Sequence, residues 1–143
     1  MDVRSVIMIR AKDKRYFNKA AQLAELSTYH KVKVGCVIVY HNHIISTGFN
    51  KERTDPLQMK YNIYHNIPKD CLHKLHAEMD AIKHIIDLNI NWKNVSIYVY
   101  RKRNDKLFGM GRPCKACMNL IKELGIRHVF YTTDNGYCYE KLE

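Results

Sequence analysis

The sequence predicts a three-layer α/β/α fold on a mixed sheet of about five strands, in a single domain covering residues 1–143. Three observations carry this expectation. Val32 to Tyr40 is rich in β-branched residues and becomes a near-continuous apolar run, the pattern of a strand covered on both faces. Two helical patterns, Lys74–Leu88 and Cys114–Leu124, each follow one strand and precede another, which places helices on the faces of a sheet. A chain of 143 residues is the length of one domain and can bury a core without disulfide staples.

Ala11 to Ser27 reads as the first helix, with Phe17, Ala20, Ala21 and Ala24 recurring at helical spacing and Lys12, Lys14, Arg15 and Lys19 mostly on other faces. His41-Asn42 is a tight turn between Val32–Tyr40 and a second strand, His43–Phe49, where Gly48 suggests a close backbone approach or a bulge. Asn50 to Cys71 is polar and irregular, with Pro56, Pro68 and room for a short helix around Pro56 to Tyr64. A loop of that length in a compact domain is usually functional, and Lys51 to Cys71 is a candidate substrate lid.

Ala77, Ala81, Ile82, Ile85 and Ile86 form the apolar stripe of the Lys74–Leu88 helix. Val95–Arg101 is the third strand and Arg101 to Lys106 a charged loop. Pro113 suits a helix start and Gly125 a helix end. Arg127–Thr132 is the fourth strand; after the turn Asp134-Asn135-Gly136, Tyr137 to Leu142 adds a short strand or helix.

Composition narrows the classes. Hydrophobic and charged fractions of 46% and 27% are those of a globular chain. No apolar run approaches the roughly 20 residues of a membrane span, and the start lacks a signal-peptide pattern, so a cytoplasmic protein with no membrane partner is expected. Five cysteines, two of them in one C-x-x-C, favour metal or free thiols over a disulfide framework. The formal charge of +10 suits nucleic acid or a small anion equally, and by itself specifies no site.

The chemistry concentrates in Leu75-His76-Ala77-Glu78 and Arg112-Pro113-Cys114-Lys115-Ala116-Cys117. His76, Cys114 and Cys117 can hold Zn²⁺ with a fourth position left for water, and Glu78 is then free to move protons. Cys114 and Cys117 lie one turn apart on one helix face, where a helix N-terminus favours the thiolate. His76, near a helix N-terminus, is expected to stay neutral. Residues two apart point to opposite sides of a helix, so His76 and Glu78 share a pocket only in the first turn or just before it.

These motifs, with Met79-Asp80-Ala81-Ile82, Leu120-Ile121 and the pair Val34–Val39 and Gly48-Phe49-Asn50, resemble the cytidine and deoxycytidylate deaminase superfamily from about Ala24 to Tyr131. The resemblance implies hydrolytic deamination of the cytosine of a (deoxy)cytidine nucleotide or nucleoside, with a zinc-activated hydroxide as nucleophile and Glu78 as proton shuttle. It also implies substrate contacts from Asn50 and the backbone N–H of Ala77, and a homo-oligomer; Val34 and Arg112 are further candidate substrate contacts. The stretches Lys51-Glu52-Arg53 and Gly109-Met110-Gly111-Arg112 depart from the family pattern at the pocket. Three alternatives stand beside this reading. One is a deaminase of single-stranded DNA or RNA, using Arg101, Lys102, Arg103, Lys106, Arg112 and Lys115 as a basic track and Tyr61, Tyr64 and Phe108 for stacking. Another is a closed structural zinc site completed by Cys71 or His73. The third is a nucleic-acid-binding module without activity. Cys71 with Cys36, His65 or His73 is an accessory metal candidate, and Cys138 a plain thiol.

Overall fold

The computed structural model describes residues 3–6, 9–29, 32–64, 74–104 and 108–143. Among them the order is β1 (Val3–Val6), α1 (Ala11–Ala24), β2 (Lys33–Tyr40), β3 (His43–Phe49), α2 (Pro56–Tyr64), α3 (Ala77–Lys83), a 3₁₀ turn (Trp92–Asn94), β4 (Val95–Lys102), α4 (Lys115–Leu124), β5 (His128–Thr133) and β6 (Gly136–Lys141). The described strands form one six-stranded sheet in the order β1-β6-β5-β4-β2-β3. Only β4 and β5 pair in parallel, joined through α4; the other neighbours are antiparallel. The mixed α/β/α class is therefore as expected. The strand total exceeds five because residues 3–6, which carry only a short apolar patch, pair with β6. The stretch expected from Tyr137 as a short strand or helix is a strand, Gly136–Lys141.

Side-chain alternation along the strands separates two cores. Val37, Val39, Tyr98, Tyr100 and Phe130 meet Phe17, Ala20 and Ala24 of α1 on one face. Cys36, Ile38, Ile97, Val99, Val129 and Tyr131 meet α2, α3 and α4 on the other. The turn His41-Asn42 has both residues at positive φ, 51° and 64°, as a tight hairpin of this kind requires. The hairpin bulge falls at Ile45, where the register slips between Ile38 and Val39. Gly48 serves a different purpose. A Cβ there would stand 2.5 Å from the Ala77 carbonyl, so its absence lets α3 lie directly on β3.

Two boundaries differ from expectation for physical reasons. The helix expected from Lys74 begins only at Ala77, because Leu75 pairs antiparallel with Lys51 and His76 is extended at φ −75°, ψ 153°. Beyond Lys83 the chain continues in tighter turns, with the Ile85 and Leu88 N–H groups bonded three residues back. The other ligand-bearing helix starts at Lys115 with Cys114 as its N-cap, which puts Pro113 one residue outside it. It ends at Gly125, in the left-handed region at φ 96°.

Within the stretch Lys51 to Cys71, the short helix expected around Pro56 to Tyr64 is α2. In α2, Gln58 and Asn62 are fully buried and Tyr61 nearly so, and the helix packs against α3 and α4. His65, Cys71, His73 and Lys106 lie outside the described residues, as does the side chain of Tyr64.

Candidate active site

The starts of α3 and α4 face one another past the carboxyl ends of β4 and β5, where α/β sheets commonly bind ligands. Extended His76 and N-cap Cys114 aim inward from these starts, and Cys117 follows in the first turn of α4. His76 Nδ1 lies 3.4 Å from both the Cys114 and Cys117 sulfurs. All three ligand atoms fall within 4.8 Å of one another. A nitrogen at about 2.1 Å and a sulfur at about 2.3 Å from one tetrahedral zinc are about 3.6 Å apart, so the donor set and its spacing fit that ion.

The geometric condition on His76 and Glu78 is met, because His76 precedes the helix and Glu78 is its second residue. Both line one cavity of about 340 Å³ together with Cys114, Ala77, Asn50 and Val34, within the size range of small-molecule sites. Glu78 is 5% exposed. Burial, helped by the Cys114 thiolate and opposed by His76, pushes its carboxyl up to about 7. Cys114 is drawn down to about 4, first by the hydrogen bond from the Cys117 thiol and then by His76. Cys117, receiving the opposite effect from Cys114 and fully buried, is pushed well above its ordinary value. Burial lowers His76, but the neighbouring Cys114 thiolate outweighs it and the net shift is upward.

The other expected substrate residues have partners within the protein. Asn50 Oδ1 accepts from the Val34 N–H at 2.9 Å, and its amide donates to the Val32 carbonyl at 2.8 Å. Ala77 opens α3, where a backbone N–H has no intrahelical acceptor. Arg112 lines the cavity but makes a two-pronged contact, 2.9 Å on each prong, with the fully buried carboxylate of Glu140.

Other cations at the cavity are held similarly. Lys51 lies 3.0 Å from Asp80 and Lys74 2.8 Å from the Tyr29 hydroxyl. Arg101 differs. Its Nη1 reaches the Met110 carbonyl at 3.3 Å, while its buried Nε has no hydrogen-bond partner among the described residues. The base of the Arg101–Arg112 loop is clipped by Thr132. The Thr132 hydroxyl accepts from the Arg101 N–H (3.0 Å) and donates to the Gly109 carbonyl (2.8 Å), and the Thr132 carbonyl accepts from the Gly111 N–H (2.8 Å).

Two more of the described basic residues of the expected track are paired with carboxylates. Lys102 pairs with Glu25 at 2.6 Å and Arg103 with Asp134 at 3.6 Å. Tyr61 donates to Glu123, and Phe108 packs on Tyr100 and Tyr137. A larger cavity, about 640 Å³, lies on the α1 side. Its main polar groups engage each other: Asp13 takes both Arg10 (2.7 Å) and the Tyr98 hydroxyl (2.6 Å), and His128 meets the Tyr139 hydroxyl. Among the described residues it holds no metal-ligand cluster.

Sequence reading did not find Gln58, whose amide oxygen accepts the His76 N–H at 2.9 Å. A lone glutamine between Leu57 and Met59 in a short helix carries no local signal; only the tertiary contact exposes it.

A three-layer fold with a His-Cys-Cys cluster at the starts of two helices is the arrangement of an α/β protein with a zinc site. The family model described as "Cytidine and deoxycytidylate deaminase zinc-binding region" matches residues 10–133, and the chain belongs to that family. ComE operon protein 2 of Bacillus subtilis (strain 168) is 27% identical over 140 residues, 95% of this chain and 69% of that protein. Dissimilar sequences share the fold. The dCMP deaminase of cyanophage S-TIM5, solved in complex with dCMP and dUMP, superposes with a TM-score of 0.58 at 20% identity, over 89% of this chain and 85% of that one. The cytidine deaminase of Burkholderia pseudomallei gives 0.56 at 19% identity, over 82% and 80%. No helix among the described residues is long and apolar enough to cross a membrane.

Proposed function

We propose that this single-domain protein hydrolytically deaminates the cytosine of a (deoxy)cytidine nucleotide, with His76, Cys114 and Cys117 as zinc ligands and Glu78 as the proton shuttle. One observation carries the reading: the three ligand atoms meet at bonding spacing, and two of them, those of His76 and Cys114, belong to residues that line the same cavity as the buried Glu78. Zinc bound there supplies a water activated near neutral pH.

Glu78 does the proton work. Held at about 7 by burial, its carboxyl exchanges protons readily at neutral pH. It takes a proton from the attacking water and gives it to the ring nitrogen, then passes a second to the departing amine. C4 gains the water oxygen and loses ammonia, leaving the uracil form. Asn50 and Val34 wall the pocket, and the Ala77 N–H is placed for the pyrimidine carbonyl. The set favours catalysis over a closed structural site because the ligands His76 and Cys114 share their cavity with an acid, Glu78, that a structural site does not need.

Two features support a nucleotide. Arg101 offers an unpaired buried N–H at the cavity, where a phosphate oxygen would satisfy it. Lys102, Arg103 and Arg112 are engaged by carboxylates, which weakens the case for a polynucleotide groove. The cyanophage relative's dCMP complex points the same way.

The test is ammonia release from cytidine, deoxycytidine, their mono- and triphosphates, single-stranded DNA and RNA, and adenosine analogues. Turnover of a free cytosine nucleotide is expected. Glu78→Gln should keep its zinc and lose about 10²–10⁴-fold in turnover; undiminished turnover in that variant would remove Glu78 from the mechanism. Activity only on polynucleotides, with steep salt dependence, would overturn the substrate assignment.

A further inference from the structure

The geometry points to Gln58 as a positioning residue for the metal ligand His76, with α2 as the strut joining the two halves of the metal site. This role rests on the zinc reading above. Gln58 is fully buried, and a buried amide requires partners. It has one at each end: Oε1 accepts the His76 N–H at 2.9 Å, and Nε2 donates to Asn62 Oδ1 at 2.8 Å, one turn further along α2. Asn62 is also fully buried.

The backbone around His76 explains why a side chain is needed there. Leu75 gives both its N–H and its carbonyl to Lys51, each at 2.9 Å. The His76 carbonyl accepts the Asp80 N–H at 2.9 Å and starts α3. The His76 N–H lies between the bridge and the helix, and Gln58 supplies its acceptor. Three residues after Gln58 in the same helix, Tyr61 donates to Glu123 of α4, the helix that carries Cys117 in its first turn. One short helix thus touches the backbone of the histidine ligand and the body of the cysteine helix.

A ligating site must be held within about 0.5 Å by its supporting residues, and losing an outer partner typically weakens metal binding about 10–100-fold. Gln58 acts on the ligand's backbone, so it fixes where the imidazole starts, and the ring's protonation is untouched.

The experiment measures zinc affinity by competition with a chelator, alongside thermal melts of the metal-free chains. In Gln58→Met/Asn62→Leu both amides become apolar, so no partner is stranded within the pair. The expected result is about 10–100-fold weaker zinc binding in a metal-free chain that folds, its melting temperature lowered by the unpaired His76 N–H. Gln58→Glu keeps the acceptor and should recover most of the affinity. Wild-type affinity in the double variant would overturn the role, and so would equal weakness in Gln58→Glu. If the double variant does not fold, Gln58→Asn decides: one methylene too short for His76, it should show the same loss. A wild-type chain that binds no zinc would instead sink the metal reading.

Discussion

Arg112 and Arg101 line one cavity, yet their surroundings within the protein differ. Glu140 is fully buried and takes both prongs of Arg112 as well as the Tyr131 hydroxyl at 3.0 Å. Removing one partner of such a pair strands a buried charge. Arg112→Leu should cost about 3–5 kcal/mol in urea unfolding, and Arg112→Leu/Glu140→Leu should restore most of it. Arg101→Met should leave stability nearly unchanged. It should lower kcat/KM for cytosine nucleotides by roughly 10–100-fold, the equivalent of one or two charge-assisted hydrogen bonds, and leave nucleosides unaffected. Equal losses on both substrates would show that Arg101 does not read the phosphate. The sequence placed both arginines near the site and chose Arg112, because proximity to Cys114 is legible and a carboxylate 28 residues away is not.

At the level of elements, the ligand helices were readable because their signals are local: an apolar stripe, a C-x-x-C one turn apart, and a glycine at the end. Their first residues were less so. The start of α3 is set by the Lys51–Leu75 bridge, a pairing across 24 positions that no periodicity records. The same limit applies to β1, whose strand character comes from β6, and to the packing of α2: a short helix at Pro56–Tyr64 is expected from the sequence, its buried polar face is not. Close approach was legible at Gly48, though its partner was not. Gly48→Ala would drive a methyl into the Ala77 carbonyl and the Ala81 N–H, at 2.5 and 2.6 Å. The expected cost is about 1–3 kcal/mol, with weaker zinc binding because His76 and Glu78 move with that turn. Chemical unfolding and zinc titration of the variant check both.

For the whole molecule, the sheet divides labour. The α1 face is an aromatic core, and the other face carries the metal cluster. One titration on the α1 side bears on stability. His128 is held below its ordinary value of 6.5, chiefly by burial and then by Lys141 and Arg127. A histidine that binds its proton more weakly when folded costs nothing well above 6.5. As pH falls below that value the unfolded chain takes up the proton first, so the fold loses stability. The melting temperature of the metal-free protein should drop on acidification through this window, and His128→Gln should flatten that component; an unchanged slope would assign the drop to other groups.

Thr132 reaches further than a single hydrogen-bond list suggests. By tying Gly109, Gly111 and Arg101 together, it pinches the excursion between β4 and α4 at its neck. Met110, Gly111 and Arg112, which line the cavity, lie on the far side of that clip. Changes in chain length between Arg103 and Phe108 are therefore held away from Cys114, and selection, natural or in the laboratory, can vary that stretch without touching the chemistry.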